Sequence, residues 1–382
     1  MLHQLLNSIL VCAIVTACQP KTADSTQETA SASSATLPLH QIKLPPGFKI
    51  AIYAQGIENA RSMSLSPNGT LFVSTRDAGN VYALQDTNSD FEVDKKYTLI
   101  SGKKMPNGVA FHEGDLYFAE IDKVWVWDDI ESKLAHPGKP ELVYDQYPDK
   151  EHHGWKYIAF GPDGWLYIPV GGPCNICLSK DDIYASITRL NVETKQREII
   201  AHGVRNTVGF DWHPVTKELW FTDNGGDWLG DDMPACELNY APKTGMHFGY
   251  PFCHQGDFLD PNLGKGKSCS DYIPPAQKLS PHVAPLGMEF YHGSMFPAEY
   301  QNQILIAEHG SWNRSKPIGY RVMMVRVEDN TRAVSYESFA EGWLQGDQAW
   351  GRPVDLEHLP DGSMLVSDDY ANAIYRITYT KD

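Results

Sequence analysis

The chain lacks a membrane-spanning apolar run, any sustained helical period, and an excess of basic charge. Its conspicuous apolar run, residues 5–15, is too short to cross a bilayer as a mature helix. Basic side chains number 32 against 48 acidic ones, a formal charge of −16, which argues against nucleic acid as a partner. An anionic ligand would therefore need a local basic pocket or a metal. Cysteine is scarce, with seven in 382 residues. Cys174-Asn-Ile-Cys177 is followed by Leu178 rather than His, which excludes covalent c-type haem attachment. A zinc site there would need two further ligands that the sequence does not place.

What is present begins with an export signal. Val15-Thr-Ala-Cys18 resembles a bacterial lipobox, so residues 1–18 read as a signal peptide with Cys18 as the acylated new N-terminus. Residues 19–42, rich in Ser, Thr and Ala, read as a flexible tether. Gln19 after the Cys favours an outer-membrane lipoprotein facing the periplasm, with the lipid as the sole membrane contact. Residues 43–382 then form one large domain, with no second low-complexity linker to divide them. Setting aside Cys12 and Cys18 leaves five cysteines. Cys253 and Cys269 flank a Gly/Pro/Asp-rich loop and are expected to pair, Cys174 and Cys177 to form a second, tight bridge, and Cys236 to be the odd thiol.

One unit recurs along this domain: a Pro/Asp/Gly-type turn, then a short apolar strand. It appears at residues 66–75, 113–119, 161–168, 213–222, 300–307 and 359–367. Second strands such as 79–84 and 373–378 follow, and 31 Gly with 25 Pro punctuate the pattern. Repeated strand units of this length predict an all-β, six-bladed β-propeller, whose radial closure protects its sheet edges. Inner strands would converge on an axis, and loops at one end would build a site.

Two segments about fifty residues apart carry chemistry. His152-His-Gly-Trp155 supplies a candidate base; Gly203-Val-Arg-Asn206, with Asp223-Asn-Gly-Gly226 beyond it, supplies a fixed positive charge and a turn with accessible carbonyls. With Trp228-Leu-Gly-Asp-Asp232, Ala307-Glu-His-Gly-Ser-Trp-Asn-Arg314 and Trp350-Gly-Arg-Pro-Val-Asp355, these motifs resemble the pyrroloquinoline quinone-dependent glucose/sorbosone dehydrogenases, nearest the sorbosone dehydrogenase-like branch. The resemblance implies His153 as general base and Arg205 as stabiliser of charge on the quinone, with Asn206 donating to the cofactor. It further implies calcium held by the carbonyls of Gly225 and Gly226, and cofactor contacts from Asn107, His282 and Arg352.

The sequence departs from that family in two places. A lysine expected near His309 is absent, with Arg314 and Lys316 as possible replacements. The acid that orients the base in the soluble glucose dehydrogenases falls at Gly171-Gly-Pro173, leaving Asp181, Asp182 or a backbone carbonyl for the task. The acidic stretch 86–94 is open between a structural calcium loop and a solvated one. The expected activity is oxidation of an aldose or sorbosone-type sugar at its hemiacetal or aldehyde-hydrate carbon, with electrons passed to a separate cytochrome c or quinone. The alternatives are a calcium-dependent propeller lactonase or hydrolase, and a non-catalytic propeller that binds a ligand or protein.

Overall fold

A computed structural model describes residues 36–381 and, as backbone only, Glu28–Thr29. Cys18 and the signal lie outside the described residues. Helix among these residues is confined to four short 3-10 turns, so the architecture is strands and loops. Six sheets succeed one another along the chain, as the repeats predict.

Blade one comprises Ala60–Leu65, Leu71–Thr75, Val81–Gln85 and Lys95–Ile100. Blade two comprises Gly108–His112, Asp115–Ala119, Val124–Trp127 and Glu141–Tyr144. Blade three follows with Ala159–Phe160, Leu166–Val170, Ser186–Leu190 and Arg197–His202. Blade four has Phe210–Trp212, Leu219–Asp223, Ala235–Ala241 and Gln277–Pro281. Blade five has Pro285–Phe290, Ile304–Glu308, Arg321–Glu328 and Arg332–Glu341. Blade six takes Pro353–His358, Met364–Asp368 and Ala373–Tyr379 from the C-terminal end, and its outer strand, Phe48–Gln55, from the start of the domain. That last pairing runs antiparallel from Phe48↔Tyr379 to Gln55↔Ala373 and closes the ring.

Each recurrent unit of the sequence is the turn and second strand of one blade. These strands read as apolar runs because neighbouring blades cover both their faces: Leu71–Thr75, Leu166–Val170, Leu219–Asp223, Ile304–Glu308 and Met364–Asp368 are buried throughout. Between blades one and two, for example, Phe72, Val81 and Leu99 pack against Val109, Phe118 and Trp127. Full burial of each such side chain contributes about 1.5–3 kcal/mol.

The longest gap between repeats holds an insertion in blade four, residues 242–276, stapled by the expected Cys253–Cys269 disulfide. Its Met246–His247 adds parallel to the outer strand of blade three. Cys174–Cys177 also pairs, and Cys236 is a buried free thiol. Part of the expected tether is docked, with Leu37, Leu39 and Ile42 packed on the core of blades five and six, and Lys43, the first residue of the expected domain, bridges Glu341.

Antiparallel order fixes which loops share a face. Crossings from an outer strand to the next inner strand, and loops from a second to a third strand, lie together at the end of the axis where inner strands begin. The Pro/Asp/Gly turns and the acidic stretch 86–94 lie at the other end. In that stretch Asp86 accepts from the backbone of Asn88, Ser89 and Phe91, and Asp94 from Thr87, so its carboxylates brace the loop itself.

Candidate active site

His153 lies on the crossing into blade three and Arg205 on the crossing into blade four. Fifty residues of sequence thus become one blade-to-blade step, and a single residue, Gly172, joins the two. The Gly172 carbonyl lies 2.9 Å from His153 Nδ1, while the Gly172 N–H donates to the Arg205 carbonyl at 2.7 Å. A carbonyl can only accept, so Nδ1 carries the proton and Nε2 keeps its lone pair. The backbone carbonyl is therefore what orients the imidazole, in place of the missing acid; Asp181 and Asp182 are exposed and take no part. Glycine is required here by proximity. A Cβ on Gly171 would stand 2.5 Å from His153 Cβ and 2.8 Å from its carbonyl oxygen, and one on Gly172 would stand 2.8 Å from the Tyr250 hydroxyl.

His153 itself has a left-handed backbone, φ 52°, and is buried. Burial first, then Arg205 and His152, push its pKa down to about 2, so the ring is neutral at every ordinary pH. Lys156 holds the next carbonyl, donating from Nζ to Gly154 at 2.7 Å. His152 stays exposed beside the base, with ring centroids 4.1 Å apart.

Arg205 is 4% exposed and heavily committed. Nε donates to the Asn175 carbonyl, Nη1 to the Asn224 carbonyl, and Nη2 to Asn175 Oδ1 and Asp227 Oδ2, at 2.7–3.1 Å. One of the guanidinium's five N–H groups, on Nη1, is left over. The Cys174–Cys177 loop supplies Asn175 and so covers the arginine. Asp223 accepts the backbone N–H groups of both Arg205 and Asn206, which fixes this crossing. The Asn206 carbonyl accepts from the Asn224 side chain at 2.8 Å.

Gly225 and Gly226 open the loop after the second strand of blade four. They border a small space of about 10 Å³, also lined by Asp223, Glu237 and His254, which is the size of one water molecule or ion. A Cβ on Gly225 would meet the Ala235 carbonyl at 2.8 Å. Among the described residues no donor reaches either glycine carbonyl. Burial raises Asp223 to about 6 and Glu237 to about 8, and each lies beside the other across the strand pair. Carbonyls without donors next to closely spaced carboxylates suit a hard cation.

The remaining candidates divide. Arg352 commits Nε and Nη2 to the carbonyls of His309 and Gly310 and keeps its other donors free. Asn107 is fully buried, accepting from Arg61 and donating to the Lys156 carbonyl, so it brackets blades rather than facing a ligand. His282 donates from Nε2 to carbonyls at Gly230 and Met233 and so holds the loop after Gly226. Arg314 clasps that same loop through Asp231 and Asp232 instead of reaching the site.

Sequence reasoning passed over Arg76, Arg61 and His309. Arg76 lies 5.0 Å over the Trp155 ring, whose buried Nε1–H has no partner. Arg61 and His309 meet at Asp369, each within 2.9 Å of one of its oxygens. The signal was available in the repeat register: Arg76, Gly171, Asn224, His309 and Asp369 each directly follow a second strand. Four arginines, with spare N–H groups on at least two and an unpaired indole donor, fit a flat, polyanionic cofactor.

Fold and site together define a six-bladed propeller with an arginine-rich axial site around a backbone-oriented histidine. Residues 34–378 match the model of the family described as "Domain of unknown function (DUF7133)", and the chain belongs to that family. An uncharacterized protein of Borreliella burgdorferi is 35% identical over 89% of this chain and 91% of its own length. A pyrroloquinoline quinone-dependent pyranose dehydrogenase of Coprinopsis cinerea is 23% identical over 77% of this chain, which spans 46% of that protein. The Trichoderma reesei enzyme of Carbohydrate-Active Enzymes Family AA12 superposes with a TM-score of 0.79 at 20% identity, covering 91% of this chain and 100% of that one.

Proposed function

We propose that this protein is a pyrroloquinoline quinone-dependent dehydrogenase that oxidises an aldose or sorbosone-type sugar at its hemiacetal or aldehyde-hydrate carbon. The observation that carries the reading is Gly172, whose carbonyl orients a base-competent imidazole and whose N–H holds the backbone of the residue that carries a buried guanidinium. The Coprinopsis pyranose dehydrogenase, as a sequence relative, supports the cofactor and the sugar class.

When bound, the quinone supplies a two-electron hydride acceptor, and calcium at Gly225–Gly226 a Lewis acid. The chain's own residues do the rest. His153 takes the substrate hydroxyl proton at Nε2 as the C–H bond breaks, with Nδ1–H held by Gly172 through the transfer. Its low basicity restricts it to accepting a proton already loosened by departure of the hydride. Arg205 presents a charge that cannot be lost and one uncommitted N–H. Arg352 and Arg76 stand ready for carboxylates, and Trp155 for an acceptor at the floor. Electrons leave to a separate cytochrome c or quinone, and a lipid anchor at Cys18 would keep the enzyme facing the periplasm.

The test is dye reduction by purified protein with calcium and pyrroloquinoline quinone over a panel of aldoses and sorbosone. Turnover with at least one sugar is expected. No turnover across the panel, with no change in quinone absorbance on adding protein, would sink the proposal.

A further inference from the structure

The far ends of the inner strands gather groups that the redox site does not use. The inner strand of blade five, Pro285–Phe290, runs on to His292; that of blade six, Pro353–His358, ends in a histidine. One ligand-type atom each from Glu289, His292 and His358 lies within 4.8 Å of the other two. His358 Nδ1 stands 2.6 Å from Glu289 Oε1, while its Nε2 accepts from the His292 backbone N–H at 3.3 Å, so Nδ1 is the nitrogen a cation would take in place of the proton shared with Glu289. The two imidazoles stack with centroids 4.1 Å apart. The second Glu289 oxygen, Oε2, is buried without a hydrogen-bond partner. Asp211, Asp355 and Glu357 crowd the same channel, and among the described residues His358 is the sole basic group in an ion pair with any of these four acids.

A buried carboxylate oxygen with no donor is destabilising, and like charges around it add to that. A cation removes both costs. Two imidazoles beside one carboxylate is a donor set for zinc-class ions, whereas calcium and magnesium take oxygen ligands. We propose that Glu289, His292 and His358 bind one zinc-class divalent cation at the axial mouth opposite the redox site. Ligand atoms around tetrahedral zinc lie about 3.3 Å apart, given bonds of about 2.0–2.1 Å. His292, which is exposed, closes the difference and leaves an entry path from solvent. The ion pins blade five to blade six and keeps a fourth position for water or a neighbouring channel acid.

Untagged protein is stripped with a chelator and titrated with zinc by calorimetry, and with cobalt(II) by visible absorption. One zinc per chain, tetrahedral-type cobalt bands and a raised thermal midpoint are expected. His292→Ala removes an exposed side chain and should leave the fold intact. It should weaken zinc by more than about 100-fold, beyond what losing an outer partner costs. Glu289→Gln should behave alike, while Cys236→Ser should bind as the parent does. No stoichiometric binding, unchanged affinity in both ligand variants, or loss of binding in Cys236→Ser overturns the assignment. None of these readouts needs quinone or sugar, so the result is independent of the dehydrogenase proposal.

Discussion

Where the inner strands begin, Arg61, Arg76, Arg205 and Arg352 stand around His153 and His309; where they end, Asp211, Glu289, Asp355 and Glu357 stand around His358. Between the two lies a small apolar plug of Val208, Leu286 and Val354 with Trp155 against it, contributed by four blades. Burial acts alike at both ends, holding His358 at about 4 at the acid end as well, and the difference lies in which groups are gathered there. At the arginine end it keeps imidazoles neutral, His153 at about 2 and His309 at about 4. At the acid end it lifts carboxyls, Asp211 and Asp355 both to about 7. At the first end arginines keep N–H groups uncommitted beside their carboxylate partners Asp227 and Asp369, which suits an anion; at the second four acids share one histidine as ion-pair partner, which suits a cation. One propeller axis thus offers two sites of opposite electrostatic demand, separated by apolar side chains.

Breaking the arginine end at its base should have the largest effect. His153→Ala is expected to lower turnover by roughly 10²–10⁴-fold, the contribution of a positioned general base, while quinone absorbance changes on binding persist. Turnover at the parent rate would place the base elsewhere. Gly171→Ala tests whether backbone proximity sets the base's position. Its new Cβ meets His153 Cβ at 2.5 Å and the His153 carbonyl at 2.8 Å, contacts that cannot swing away. A displacement approaching 1 Å should cost about 100-fold in kcat with little loss of fold by circular dichroism. An unaffected kcat would mean that the crossing into blade three yields freely.

The blades were legible because each repeat pairs a turn whose residues demand special backbone angles with a strand buried on both faces. Inner strands were not, since Ala159–Phe160 is too short to show a period. The closure of Phe48–Gln55 onto Ala373–Tyr379 was equally hidden, because a pairing across the whole domain leaves no local pattern. At the site, His153, Arg205 and the Gly225–Gly226 turn were readable as side-chain chemistry and as glycines. A backbone carbonyl stood among the alternatives for the orienting group, but which one was not readable, because Gly172 acts through a carbonyl that every residue possesses. Asn107 and His282 were expected at the cofactor from family positions; the Asn107 side chain is bonded to protein, while His282 holds a loop through Nε2 and keeps a buried Nδ1 without a partner. The acids of the far end escaped notice because Asp211, Glu289, Asp355 and Glu357 occupy polar positions in alternating strands, a pattern that ordinarily means solvent. Only ring closure turns those positions toward a shared channel.

The smallest effect sharpens the comparison through pH. His309 is largely buried, and burial is the first cause of its depressed pKa, against the pull of Asp369. Its imidazole falls from the ordinary 6.5 to about 4 in the native state. Between those values the unfolded chain takes up a proton that the native one refuses, so stability is complete above the upper value and is lost as pH falls toward the lower. The window is worth roughly 3 kcal/mol at most. His309→Gln removes the titration while an amide N–H can still reach Asp369 Oδ1, which His309 Nε2 holds at 2.8 Å. Urea midpoints measured from pH 7.5 down to about 4.5 should therefore fall less steeply in the variant than in the parent. Superimposable profiles would show that His309 enters the native state already protonated and paired with Asp369, and the arginine end would then carry one positive charge more than its burial predicts.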